Sequence, residues 1–195
     1  VNFYISVDGR KDTHDAIRGK GCHDKIKKHA NRPDLKIHVS MVINKMNYQD
    51  IECFIEEWKD VGVKGCLFQM YTPIKGLKND DLWPGWKLRD EILDKLLRLK
   101  DEKYGDFIGV PSLVLKLMKS DKCKEVTRNC IFREVSFCLD PQGQLKKPCM
   151  MGPQADCLRC GCMLPFHMRV LEDKWLMARE LFTSLRRKIG KKALQ

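Results

Sequence analysis

Three short runs constrain this chain most: FYISVDG (Phe3–Gly9), KIHVSMVIN (Lys36–Asn44) and KGCLFQMYT (Lys64–Thr72). Each alternates residue by residue and ends in polar or turn-forming residues, as a strand with two unlike faces does. One face is apolar: Phe3, Ile5 and Val7; then Ile37, Val39, Met41 and Ile43; then Cys66, Phe68 and Met70. The other carries Tyr4, Ser6 and Asp8; His38, Ser40, Val42 and Asn44; Leu67, Gln69 and Tyr71. Helical patterns separate the runs. Between the second and third, Ile51, Phe54, Ile55 and Trp58 keep i, i+3, i+4, i+7 spacing, with Asn47 placed to cap the start and Gly62 to end it. Residues 15–34 read as a loop and a shorter helix, and Leu88, Ile92, Leu93, Leu96 and Leu99 mark a longer one. Strands alternating with helices imply an α/β fold, a parallel sheet with right-handed crossovers.

Buried parallel strands are normally apolar on both faces. Here the second face is polar and grows more so toward the C-terminal ends. That fits the wet mouth of a β/α barrel, where ligands bind; a partly open sheet with solvent on that face is the other reading. Barrel mouth is preferred.

The second constraint is PCMMGPQADCLRCGC (Pro148–Cys162), with Cys149, Cys157, Cys160 and Cys162 inside fifteen residues. Disulfide, metal and redox chemistry all use such spacing. Of the ten cysteines, Cys22, Cys53 and Cys66 are scattered through the α/β region and the rest crowd between Cys123 and Cys162. Disulfide scaffolds are usually small secreted domains. The asymmetry therefore favours bound metal in a cytoplasmic protein. The 195 residues, 43% hydrophobic and 32% charged, read as soluble and globular, and no run is long enough to span a membrane. The chain opens inside a strand-like run, which reads as a fragment lacking an N-terminal portion. Its net charge of +11 suits an anionic partner, but RRKIGKK (Arg186–Lys192) concentrates five cations in what is either a solvated tail or a binding arm.

ISVDG followed by HDAIRGKG (His14–Gly21), and INKMN (Ile43–Asn47) before the helix leading to VGVKGCLFQ, resemble radical S-adenosylmethionine (SAM) enzymes that carry a C-terminal auxiliary cluster. The resemblance covers about the first 75 residues. It implies the C-terminal part of a parallel β/α barrel, with Ser6 and Arg18 at the carboxylate end of SAM, Asn44 near the ribose and Gln69 a weaker contact. A guanidinium is a natural fork for a carboxylate. On the residues alone, Ser6 could be a strand filler, Arg18 could pair with Asp8 or Asp15, and Asn44 could cap a strand. The family's C-x3-C-x2-C motif, which holds the SAM-cleaving [4Fe–4S] cluster, is absent from these residues, so the chain as written should not cleave SAM.

Past a Pro-initiated helical stretch (Pro111–Lys119), FREVSFCLD, PQG and QLKKPC read as a β-hairpin. The frame from Cys130 to Cys149 is C-x12-G-x5-C, which resembles the SPASM or shorter twitch extension of the same enzymes, with one residue more than usual between glycine and cysteine. That resemblance implies one auxiliary [4Fe–4S] cluster. Five thiols compete for four places: Cys130, Cys149, Cys157, Cys160 and Cys162. Cys123, Cys138 and His167 are reserves. Thiolates suit iron–sulfur clusters and zinc alike, so a zinc knot stays open on the residues alone.

The expected organisation is therefore three-part: half-barrel 1–110, Cys-rich extension 111–165, and C-terminal helix with basic tail 166–195. In that helix Val170, Leu171, Trp175, Met177, Ala178, Leu181 and Leu185 read as the core face. The loop Met70–Trp86 either lines a substrate channel or is pinned to the next helix by Trp83 and Trp86. The resemblance implies an enzyme acting on an unidentified peptide, lipid or small molecule, fed by an electron donor such as flavodoxin or ferredoxin. A zinc-bearing nucleic-acid-binding module is the rival function, and a degenerate barrel serving as a scaffold is a third.

Overall fold

The computed structural model describes residues 1–77 and 80–192, with side chains through Arg186. Strands β1 (Asn2–Ser6), β2 (Lys36–Ile43) and β3 (Cys66–Met70) form a parallel sheet in the order β1-β2-β3. Ser6 pairs with Ser40, Ser40 with Leu67 and Val42 with Gln69, so Ser6 and Gln69 share a face. Ile108 makes a further parallel bridge to Cys66, and the Gly109 N–H donates to the Cys66 carbonyl at 2.8 Å. The chain thus returns beside β3, in the same direction. The fold is α/β, with a small sheet and many helices.

Helices α1 (Lys11–Arg18) and α2 (Cys22–Ala30) join β1 to β2, α3 (Ile51–Val61) joins β2 to β3, and α4 (Gly85–Leu99) follows β3. The first of these was expected as loop. Apolar parity decides the packing: Ile37, Val39, Met41 and Ile43 are buried, as are Cys66, Phe68 and Met70 and the α3 residues Ile51, Phe54, Ile55 and Trp58. The Phe54 ring meets Phe68 edge-on at 5.8 Å, which sets α3 on the apolar face. On the opposite face His38, Ser40 and Val42 are only half-buried. Phe3 has core parity yet stays exposed, because β1 is the edge strand.

The C-terminal part is helical: α5 (Ser112–Leu117), α6 (Ser120–Arg128), α7 (Ile131–Val135), α8 (Leu164–Glu172) and α9 (Lys174–Lys192). Three expectations are corrected here. The hairpin is reduced to a Leu139–Leu145 bridge around the turn, and the first half of its expected outgoing strand is helix α7. Val135 and Phe137 are exposed, so no buried face supports a longer hairpin, and a two-stranded one is marginal alone. The single final helix is two, broken at Asp173, whose carboxylate accepts the Trp175 and Leu176 N–H groups and starts α9. Its expected core face is mostly outside: Val170 is buried, but Leu171, Trp175, Met177, Ala178, Leu181 and Leu185 are exposed.

Asn47 does not cap α3. A short 3-10 turn precedes that helix, and the Asn47 amide is buried, donating to the Asp8 and Val42 carbonyls and accepting the Asn44 N–H. It staples the ends of β1 and β2 together. Among the described residues no helix is long and apolar enough to cross a membrane.

These burial patterns separate two aromatic substitutions. Phe54→Ala should cost about 3–5 kcal/mol in urea unfolding, whereas Trp175→Ala should stay within about 0.5 kcal/mol.

Candidate functional site

Cys130, Cys149, Cys157, Cys160 and Cys162 all line one hollow, together with Thr72 just beyond β3. Cys130 precedes α7, Cys149 follows the short hairpin, and the other three lie on the loop before α8. Burial raises the Cys130 thiol pKa, with Cys149 and Cys157 adding to it. Burial pushes Cys162 up to about 11, with further contributions from Cys149 and Cys130. It pushes Cys160 up to about 12, with Cys162 and Cys123 adding to the rise and Arg89 opposing it. Cys130 is thus near Cys149, Cys157 and Cys162, and Cys160 is near Cys162 as well as Cys123 and Arg89. Among the described residues, no set of three or more His, Cys, Asp or Glu side chains is gathered so as to hold a metal ion.

The thiol loop is fastened to the sheet. The Met70 N–H donates to the Gly161 carbonyl (2.9 Å), and the Gly161 N–H donates to Thr72 Oγ1 (2.8 Å). Further along, the Asp156 N–H donates to the Pro73 carbonyl, the Lys75 N–H donates to the Gln154 carbonyl, and Ile74 and Ala155 form an antiparallel bridge. Position 161 must be glycine: a Cβ there would lie 1.8 Å from the Met70 carbonyl oxygen, inside any van der Waals contact. The hollow therefore sits at the C-terminal end of β3, the end at which α/β folds bind ligands.

Arg89 lies behind this loop, and sequence reasoning missed it. It is fully buried in α4. Its guanidinium donates to the carbonyls of Met118 (3.0 Å), Arg159 (3.3 Å) and Cys160 (2.9 Å) and approaches Cys123 Sγ at 3.6 Å. Trp83, on the loop, and Trp86, in the first turn of α4, flank it at 5.8 and 5.2 Å, so loop and helix meet around a buried cation. Burial pulls the Arg89 pKa down, and Cys123, Cys160 and Asp90 pull it back up. A signal existed: Arg89 precedes Ile92 and Leu93 by three and four residues, inside the apolar stripe. Leu88, assigned to that stripe, is only half-buried.

Ser6 and Arg18 line one open cleft with His14 and Cys22. Four residues of HDAIRGKG, His14, Asp15, Arg18 and Gly21, also have local tasks. The Asp8 N–H donates to His14 Nδ1 (3.0 Å), the Asp15 carboxylate accepts the Gly21 and His23 N–H groups at the start of α2, and Arg18 Nε meets Asp8 Oδ2 at 2.5 Å. Asn44 is buried at the end of β2, and its Oδ1 accepts the Met46 N–H in a turn. Gln69 is half-buried on the face that carries Ser6. The four stand toward the C-terminal ends of the strands, as the thiol hollow does. Of the reserves, Cys123 lies against Arg89, Cys138 beside the Leu139–Leu145 bridge, and His167 within α8. Of the loop Met70–Trp86, Lys78 and Asn79 lie outside the described residues, as do the side chains of the basic run from Arg187 onward.

The chain matches no family model, no curated protein and no solved structure.

Gly161→Ala tests the fastening. The added methyl must push the loop off β3, so urea unfolding should lose at least about 2 kcal/mol. The metal-free thiols should also alkylate faster than in the parent protein.

Proposed function

We propose that this chain is part of a radical SAM enzyme: a segment of its β/α barrel together with a thiolate-held auxiliary iron–sulfur site. One observation carries the reading. Five cysteines from three separate stretches meet at one hollow, fastened to the end of β3 and set at the same end of the sheet as the Ser6–Arg18 cleft. Strand order supports the barrel: β1, β2, β3 and then Ile108 succeed one another side by side, each parallel to the last, without the reversal of a doubly wound sheet.

In donor type the residues fit the group, while among the described residues their side chains are not gathered as a bound metal would draw them. Cys130, Cys149, Cys157 and Cys162 are the proposed ligands, and Cys160 is the fifth thiol, nearer Arg89 and Cys123. Thiolates suit an iron–sulfur cluster and zinc alike, and the choice of a cluster rests on the likeness of the Cys130–Cys149 frame to an auxiliary-cluster extension. Arg89 holds the Arg159 and Cys160 carbonyls of the loop that carries Cys157 and Cys162, and its own charge faces Cys123 and Cys160. When bound, such a cluster supplies one-electron transfer or a substrate contact. Because Cys130, Cys160 and Cys162 are held protonated at neutral pH, loading must displace protons and should strengthen as pH rises.

Ser6 and Arg18 would hold the carboxylate of SAM, with Asn44 and Gln69 farther along the strand ends. Arg18 would then divide its guanidinium between Asp8 and the ligand. SAM cleavage would need a C-x3-C-x2-C motif, which these 195 residues do not contain, and the substrate is a peptide, lipid or small molecule.

Anaerobic reconstitution with iron and sulfide tests the ligand set, read by visible thiolate-to-iron absorption. Serine at Cys130, Cys149, Cys157 or Cys162 should abolish most of the absorption, and Cys160→Ser should keep most of it. Equal absorption in all five variants would remove the proposal.

A further inference from the structure

Helix α9 is docked by its polar side. Leu176, Glu180, Thr183 and Ser184 are half-buried, and the Glu180 carboxylate accepts the Ser112 and Leu113 N–H groups at the start of α5, at 3.1 and 2.8 Å. The opposite side is an apolar stripe. Trp175, Ala178, Phe182 and Leu185 follow one another at i, i+3, i+7 and i+10, with Leu181 beside them. Trp175 is 83% exposed and Phe182 63%. Exposed aromatic and aliphatic groups in register along a helix need an occupant.

Charge identifies that occupant. From Lys174 to the end, the sequence holds seven cations and one acid, and the acid is Glu180, already turned inward. Exposed Arg179 and Arg186 stand along the stripe, with the Arg186 guanidinium 5.3 Å from the Phe182 ring centre. An apolar stripe edged by cations and bare of acids matches a bilayer whose acyl region takes the rings and whose anionic headgroups take the guanidinium groups. A nucleic acid would use the cations and leave the stripe wet. We propose that α9 lies flat on anionic membrane surfaces and docks the protein there through Trp175, Phe182 and Leu185, with Arg179 and Arg186 at the headgroups.

Vesicle flotation of the whole chain tests this, comparing pure phosphatidylcholine with phosphatidylcholine containing phosphatidylglycerol. The expected result is flotation with the anionic vesicles alone, weakened by added salt and accompanied by a blue shift of tryptophan emission. The double substitution W175S/F182S, at exposed positions, should leave the circular dichroism unchanged and weaken partition at least about tenfold. R179Q/R186Q should weaken it about tenfold as well. Absence of flotation, or flotation that neither variant changes, would overturn the proposal. So would a dimer in light scattering that W175S/F182S makes monomeric without any vesicle binding, since the stripe would then belong to a second copy. Retention on duplex nucleic acid in place of vesicles would overturn it too.

Discussion

The contact between Gly161 and the end of β3 is the joint on which the rest of the molecule depends. Two hydrogen bonds link Gly161 to Met70 and Thr72, across a gap that leaves no room for a Cβ. On one side lies a sheet whose apolar parity buries it against α3. On the other is a loop that carries three cysteines and has little core of its own. Backbone pairing with β3 converts that loop from a tether into a wall of a site.

Arg89 is the second element of the same joint. Buried guanidinium groups are costly unless their donors are used and their charge is answered. Here the donors meet carbonyls of α5 and of the thiol loop, and two indoles cover the flanks. Cys123 and Cys160 are the anionisable groups that act on it most. The arrangement ties α4, the end of α5 and the thiol loop together and leaves its positive charge against Cys123 and Cys160.

Local pattern carried much of this into view and failed where pattern alone is ambiguous. Strand alternation located all three strands, since a period of two with one apolar face has a single interpretation once helices intervene. The stripe on α9 had the right period but said nothing about which side is covered; Glu180 bonding to the start of α5 decides that, and the contact is long-range. Asn47 looked like a cap because Asn before an apolar helix usually is one, yet its amide is drawn inward by Asp8 and Val42. Spacing placed Cys149, Cys157, Cys160 and Cys162 near one another, while Cys130 reaches the same hollow through the fold between α6 and α7. Arg89 showed its burial by its place in the apolar stripe of α4, but its partners are backbone carbonyls about 30 and 70 residues away, and these leave no mark in the sequence.

The central claim is that the thiol hollow holds an iron–sulfur cluster, and elemental analysis tests it most directly. Protein purified without oxygen should carry about four irons and four sulfides per chain, as one cubane requires. One zinc per chain with no sulfide would contradict the account and make the hollow a zinc knot.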